Sequence, residues 1–105
     1  MINIEELKLL CTVENIAVTK HAKNRLAERK ISINDIVNII KQGRIIKQYE
    51  DDKPLPSCLI LGPDAHGKMC HAVISHDDDY IYLITSYYPD ENLWEDDLTT
   101  KKENV

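Results

Sequence analysis

The stretch Gly43–Tyr88, GRIIKQYEDDKPLPSCLILGPDAHGKMCHAVISHDDDYIYLITSYY, is where the chain changes its hydrophobic period. Beyond Gly43, four runs rich in Ile, Leu, Val and Tyr (Arg44–Tyr49, Ser57–Leu61, Met69–Ser75 and Tyr80–Tyr87) are separated by DDKPLP, GPDAHG and HDDD. β-Branched and tyrosyl runs fit a pleated surface, and the separators carry the Pro, Gly and Asp of turns. Connections this short join antiparallel neighbours. The stretch therefore predicts a four-stranded antiparallel meander.

Upstream, the spacing turns helical. Ile4, Leu7 and Leu10 predict a short helix, whereas Ile16–Val18 is too short to divide between a strand and a lead-in. Thr19 caps a helix running to about Arg29, with only Ala22, Leu26 and Ala27 as apolar positions. Ser32-Ile33-Asn34-Asp35 reads as a capping box with Asp in place of Glu; Ile33, Ile36, Val37, Ile39 and Ile40 form the buried face of the helix it opens, and Gly43 stops that helix. Helices first and strands after give an α+β fold with the helices packed on one sheet face. With 105 residues the chain is one domain, its core expected over about residues 16–97 and a polar, acidic tail over 98–105.

A hydrophobic fraction of 43% and a charged fraction of 30% fit a soluble globule. No apolar run reaches the roughly 18 residues of a membrane span, and Glu5 and Glu6 stand where a secretory signal has lysines; the expected location is the cytoplasm, away from membranes. Cys11, Cys58 and Cys70 are odd in number and lack a CxxC pair, so thiols are expected rather than disulfides. The net charge of −5 is polarised: Thr19 to Tyr49 holds eight basic residues against two acidic ones, or +6, leaving −11 for the remainder. Such a chain can present a basic face to phosphate although it is acidic as a whole. A solvated helix surface is the plainer reading of the same charges.

The basic residues crowd into Thr19–Ser32, TKHAKNRLAERKIS. On a helix His21, Arg25 and Glu28 share one edge, and Arg29 follows Arg25 by one turn. An imidazole and a guanidinium so placed can address one anion, the arginine with forked donors and the histidine by moving a proton near neutral pH. Glu28 competes by pairing with Arg25. In Met69–His76, alternation puts Met69, His71, Val73 and Ser75 on one face and Cys70, Ala72, Ile74 and His76 on the other. His71 should be enclosed, either as a satisfied core histidine or as a tuned acid-base group. Tyr87 and Tyr88 point to opposite faces, so one of them at most belongs to any cleft. A zinc site on His66, Cys70 and His71 is disfavoured, because adjacent strand residues diverge and no regular ligand spacing is present. No glycine-rich phosphate loop, GxSxG elbow, HExxH or EF-hand pattern occurs, and no cofactor or metal is expected.

Taken together, KHAKNRLAERKIS, GRIIKQYEDDKPLPSCLILG, HAVIS and ITSYYPDENLWEDD resemble the bacterial family labelled domain of unknown function 4258, over roughly Val18 to Asp97. The shared parts are an HAxxRxxxR helix, a proline-rich turn before PSxLxLG, a histidine-bearing strand and a closing TxYxPD…W motif. The family is similar to toxins of the RelE and BrnT kind, often encoded beside a zinc-finger or helix-turn-helix antitoxin. The resemblance implies a toxin of a toxin-antitoxin pair that acts as a metal-independent endoribonuclease, with RNA and a cognate antitoxin as partners. Toxins of this fold tend to be basic, so RNA would meet only the Thr19–Tyr49 face, and Tyr88 stands where a more polar residue is expected. His21 and His71 are then expected to transfer protons, Arg25 to hold phosphate and Tyr87 to orient it or donate a proton, while Lys20, Lys23, Arg29 and Lys47 bind RNA. The rival expectation is a non-catalytic RNA- or protein-binding module of the same fold.

Overall fold

The computed structural model describes residues 1–103. Three helices, α1 (Ile4–Leu10), α2 (Lys20–Arg29) and α3 (Ile33–Gln42), and a 3-10 turn at Val13–Asn15 accompany five strands. The strands are β1 (Ile16–Val18), β2 (Arg44–Tyr49), β3 (Ser57–Pro63), β4 (Met69–His76) and β5 (Ile81–Tyr87). Capping chemistry sets the helix starts: Thr19 Oγ1 accepts from Ala22 N at 3.1 Å, and Ser32 and Asp35 form the reciprocal box.

The sheet has five strands in the order β1-β5-β4-β3-β2, rather than the expected four. β2 to β5 form the antiparallel meander, but Ile16–Val18 adds a parallel edge strand, pairing with Ile81–Leu83. The sheet is therefore mixed. Three residues carry too little periodicity to reveal a strand, and a parallel partner 65 positions away leaves no turn signal between the two.

All three helices cover one face. Leu7, Leu26, Ile36, Ile39 and Ile40 pack with Cys58, Ile60, Cys70, Ala72, Ile74, Ile81 and Leu83 in one core. Ile2 and Cys11 belong to it too, so it reaches beyond residues 16–97. All three cysteines are buried free thiols. Burial pushes the Cys58 thiol up to about 12, and the side chain behaves as a small hydrophobe.

α3 sits unusually close to β3, and two glycines permit it. Gly43 ends the helix in extended backbone, φ −93° and ψ −173°, not the left-handed form of a glycine stop. Space is its reason: a Cβ at Gly43 would lie 2.2 Å from the Ile39 carbonyl oxygen, and one at Gly62 2.4 Å from the same atom. Asp35 adds a polar tie, accepting from Ser32 N and, across to the β3–β4 turn, from Ala65 N, each at 2.8 Å.

Candidate RNA-binding face

Partners in a ladder point to the same side, so strand register alone builds the face opposite the helices. One row runs Arg44, Leu61, His71, Tyr87; the next, Lys47, Leu59, Val73, Thr85; a third, Tyr49, Ser57, Ser75, Tyr82. Two bulges make this assembly. Arg44 and Lys47 are three apart and would face opposite ways in a regular strand, but the register shift at Ile46 restores Lys47 to the side of Arg44. The shift at Ile84 does the same for Thr85 and Tyr87 relative to Tyr82.

From the far edge α2 contributes Arg29. Its Nη1 donates to Thr85 Oγ1 at 3.2 Å and to the Ser86 carbonyl at 2.9 Å, which fixes the guanidinium beside the end of β5. The face opposite the helices thus has cations on both flanks, Arg29 at one side and Arg44 and Lys47 at the other, with Leu59 and Leu61 buried between them. Lys47 lies with its ammonium 5.4 Å from the Tyr49 ring centroid.

His71 occupies the floor and is fully buried. Its ring meets Tyr87 edge-on at 5.3 Å and Trp94 at 4.5 Å between centroids. Nε2 lies 2.7 Å from the Leu98 carbonyl oxygen, which only accepts, so Nε2 carries the proton and Nδ1 the lone pair. Nδ1 is buried without a partner among the described residues. Burial pushes the His71 pKa down, partly offset by the Leu98 carbonyl, and the ring is neutral at physiological pH.

Burial also raises the Tyr87 phenol, with Tyr49 and Cys70 adding to the rise and Arg29 opposing it. Tyr87 is therefore a hydroxyl donor at neutral pH, near enough to Tyr49 and Arg29 to feel both. Tyr88 goes the other way, donating to Asp64 Oδ2 at 2.7 Å while the Lys68 ammonium sits 4.4 Å from its ring centroid. The two tyrosines diverge as alternation requires.

The structure therefore brings together His71, Tyr87, Arg29 and Lys47 on one face. Arg25 lies on the exposed surface of α2, its guanidinium 3.6 Å from Glu28, and His21, Lys20 and Lys23 are exposed on that helix, with no hydrogen bond or ion pair from these three side chains among the described residues. The difference follows from helix phase: Ala22, Leu26 and Arg29 turn toward the sheet, and the His21–Arg25–Glu28 edge turns outward. Cys70 and His71 diverge across the sheet, and among the described residues no three His, Cys, Asp or Glu side chains gather where they could share a metal ion. Sequence reasoning missed Arg44, Tyr49 and Thr85 in the face. Their signal lies in pairing register, which the bulges hide.

None of the curated proteins and none of the solved structures matches the chain. Residues 18–88 match a family model, from the last residue of β1 to the residue after β5, and so span α2, α3 and the open sheet face. The chain belongs to the family described as domain of unknown function (DUF4258).

Proposed function

We propose that this protein acts on RNA as the toxin of a toxin-antitoxin pair, cleaving it without a metal on the open face of its sheet. The observation that carries the reading is the Arg29 guanidinium fixed on Thr85 and Ser86 next to Tyr87, across the sheet from Arg44 and Lys47 and on the same face as His71. Flanking cations hold a phosphate backbone across the strands, and arginine adds forked hydrogen bonds to the reacting phosphate. In the reaction the RNA 2′-oxygen bonds to the adjacent phosphorus as its proton passes to a base. The bond to the 5′-oxygen breaks as an acid protonates it, leaving a 2′,3′-cyclic phosphate and a 5′-hydroxyl. His71 is the imidazole this face offers for proton transfer, Tyr87 orients the phosphate or donates the second proton, and Arg29 offsets the charge that builds there, while His21 stays on the outward edge of α2. The acidic Asp77–Asp79 turn is left for a basic surface of the antitoxin.

A second reading, a module that binds RNA without cutting it, is favoured by the bond from His71 Nε2 to Leu98, which occupies the imidazole. Induced expression of the native chain and of His71→Ala, Arg29→Ala, Tyr87→Phe and His21→Ala separates the two. Growth arrest with RNA loss is expected from the native chain. Losing an acid or base should lower cleavage about 10²–10⁴-fold in purified protein with chelator present. RNA retained intact by the native protein would instead establish the binding module, and neither binding nor cleavage would remove both readings.

A further inference from the structure

The residues after β5 do not trail away. Leu93 N and Trp94 N donate to the Asp90 carbonyl at 2.9 and 3.0 Å, Glu95 N to the Thr100 carbonyl at 2.8 Å, and Lys102 N to the Leu93 carbonyl at 2.9 Å. Asp97 Oδ1 accepts from Thr99 N and Thr100 N at 2.9 and 3.0 Å. Pro89–Lys102 is thus a small folded hairpin, and it lies on the sheet face opposite the helices, because Trp94 packs on His71 and the Leu98 carbonyl accepts a hydrogen bond from His71 Nε2.

This hairpin is held in a conflicted state. Leu98 has φ +60°, left-handed backbone that a leucine rarely adopts, and that conformation is what aims its carbonyl at Nε2. The same ring, packed against Trp94 of the hairpin, has Nδ1 buried with no donor to satisfy it among the described residues. Both features are relieved when the hairpin lifts. Its charge points the same way: Asp90, Glu91, Glu95, Asp96 and Asp97 against Lys101 and Lys102 give −3 over the segment, above a face flanked by cations. The family match ends at residue 88, short of the Asp97 expected from the resemblance, so Pro89, Asp90 and Trp94 of the expected closing motif lie, with the rest of the hairpin, outside the part of the fold that the family model describes.

We propose that Pro89–Lys102 is an autoinhibitory strap: closed, it seals His71 and opposes phosphate with its carboxylates; lifted, it presents the His71 imidazole to RNA. The inference rests on the RNA-cleaving reading above and adds the control of that site. Entering RNA competes with the strap for the same trough, so strap closure and RNA binding are linked equilibria.

The test compares the full native chain with Trp94→Ala, which removes the packing on His71, and Asp97→Ala, which loosens the hairpin from its exposed side without touching the sheet. Modification of His71 by diethyl pyrocarbonate, followed by mass spectrometry, reports sealing without reference to RNA; cleavage of a single-stranded RNA oligonucleotide reports function; circular dichroism checks folding. Both readouts should rise together, roughly tenfold in Trp94→Ala and less in Asp97→Ala, and Asp97→Ala decides the matter alone if Trp94→Ala does not fold. A folded, loosened variant whose His71 stays protected overturns the strap. An unsealed His71 with cleavage unchanged from an active native chain overturns the control and leaves the ribonuclease standing. An unsealed His71 with no cleavage in any form overturns the ribonuclease reading and this inference with it.

Discussion

Lowering the pH should destabilise this protein through His71 before its carboxylates protonate. The ring is fully buried, its one proton is committed to the Leu98 carbonyl at 2.7 Å, and Nδ1 has no acceptor for a second. Burial therefore sets the folded pKa below the ordinary 6.5. As pH falls below about 6.5 the unfolded chain takes up a proton that the folded chain refuses, so stability declines, by at most about 1.4 kcal/mol per pH unit. Over the unit from about pH 6.5 to 5.5 the integrated limit is about 1 kcal/mol, equivalent to about 4–8 °C in Tm for a domain near this size. Tyr87 and Trp94, the aromatic groups against the ring, stay uncharged in that range and do not offset the loss. The comparison is with His71→Phe, which keeps an aromatic edge toward Trp94 and Tyr87 but neither titrates nor donates to Leu98. Urea unfolding, followed through the single tryptophan, Trp94, at pH 7.5 and 5.5 gives the native-minus-variant difference, in which the other histidines cancel. That difference should shrink as the pH falls. A constant difference, or a native chain that gains on the variant in acid, would refute the sealed neutral imidazole.

Gly62→Ala should cost about 1–3 kcal/mol, because its Cβ would lie 2.4 Å from the Ile39 carbonyl oxygen and must push α3 off β3; an unchanged urea midpoint would show that the helix has room to spare. Asp35→Ala removes the acceptor for both Ser32 N and Ala65 N and should lower stability by about 2–4 kcal/mol. Faster amide exchange at Ala65 in the variant would locate that loss at the β3–β4 turn, and exchange as slow as in the native chain would contradict the tie.

What the sequence revealed and what it hid divide along the range of the interactions. Thr19 and Ser32–Asp35 cap helices through bonds spanning three residues, so their side-chain chemistry was visible at once. Alternation along β4 correctly divided Cys70, Ala72 and Ile74 from His71, because that period belongs to one strand. Ile16–Val18 could not be divided between a strand and a lead-in, since the partner that makes it a strand is β5, far along the chain. The meaning of Gly43 also changed with distance. A local rule makes it a helix stop, whereas a Cβ there would also lie 2.6 Å from the Leu61 carbonyl oxygen and 3.0 Å from Gly62 Cα, a reason for the missing side chain that comes from β3. Within the site, helical spacing grouped His21 with Arg25, but only packing shows that Arg29 is the arginine turned to the sheet. Nothing in the residues after Pro89 announced that a peptide carbonyl would meet His71, since a backbone group carries no sequence signal.

The division of labour between the two sheet faces explains why an acidic chain can still carry cations on one side of its sheet. The helices need one face for the apolar stripe of α3 and the few inward residues of α2, and that face is saturated by Ile36, Ile39, Ile40 and Leu26. Polar chemistry is left to the opposite side. There, a regular meander would alternate Arg44 and Lys47, and likewise Tyr82 and Thr85, between core and solvent. The bulges at Ile46 and Ile84 each insert one residue and return the following side chains to the open face. Moving those groups into the core would bury charge without a partner, so burial energetics and the assembly of the face demand the same register. Deleting Ile46 or Ile84 tests that register, because each deletion removes only the extra residue: Arg44 and Lys47, or Tyr82 and Thr85, keep their common face in a regular strand, so the chain should still fold by circular dichroism, and loss of the fold would refute the bulge.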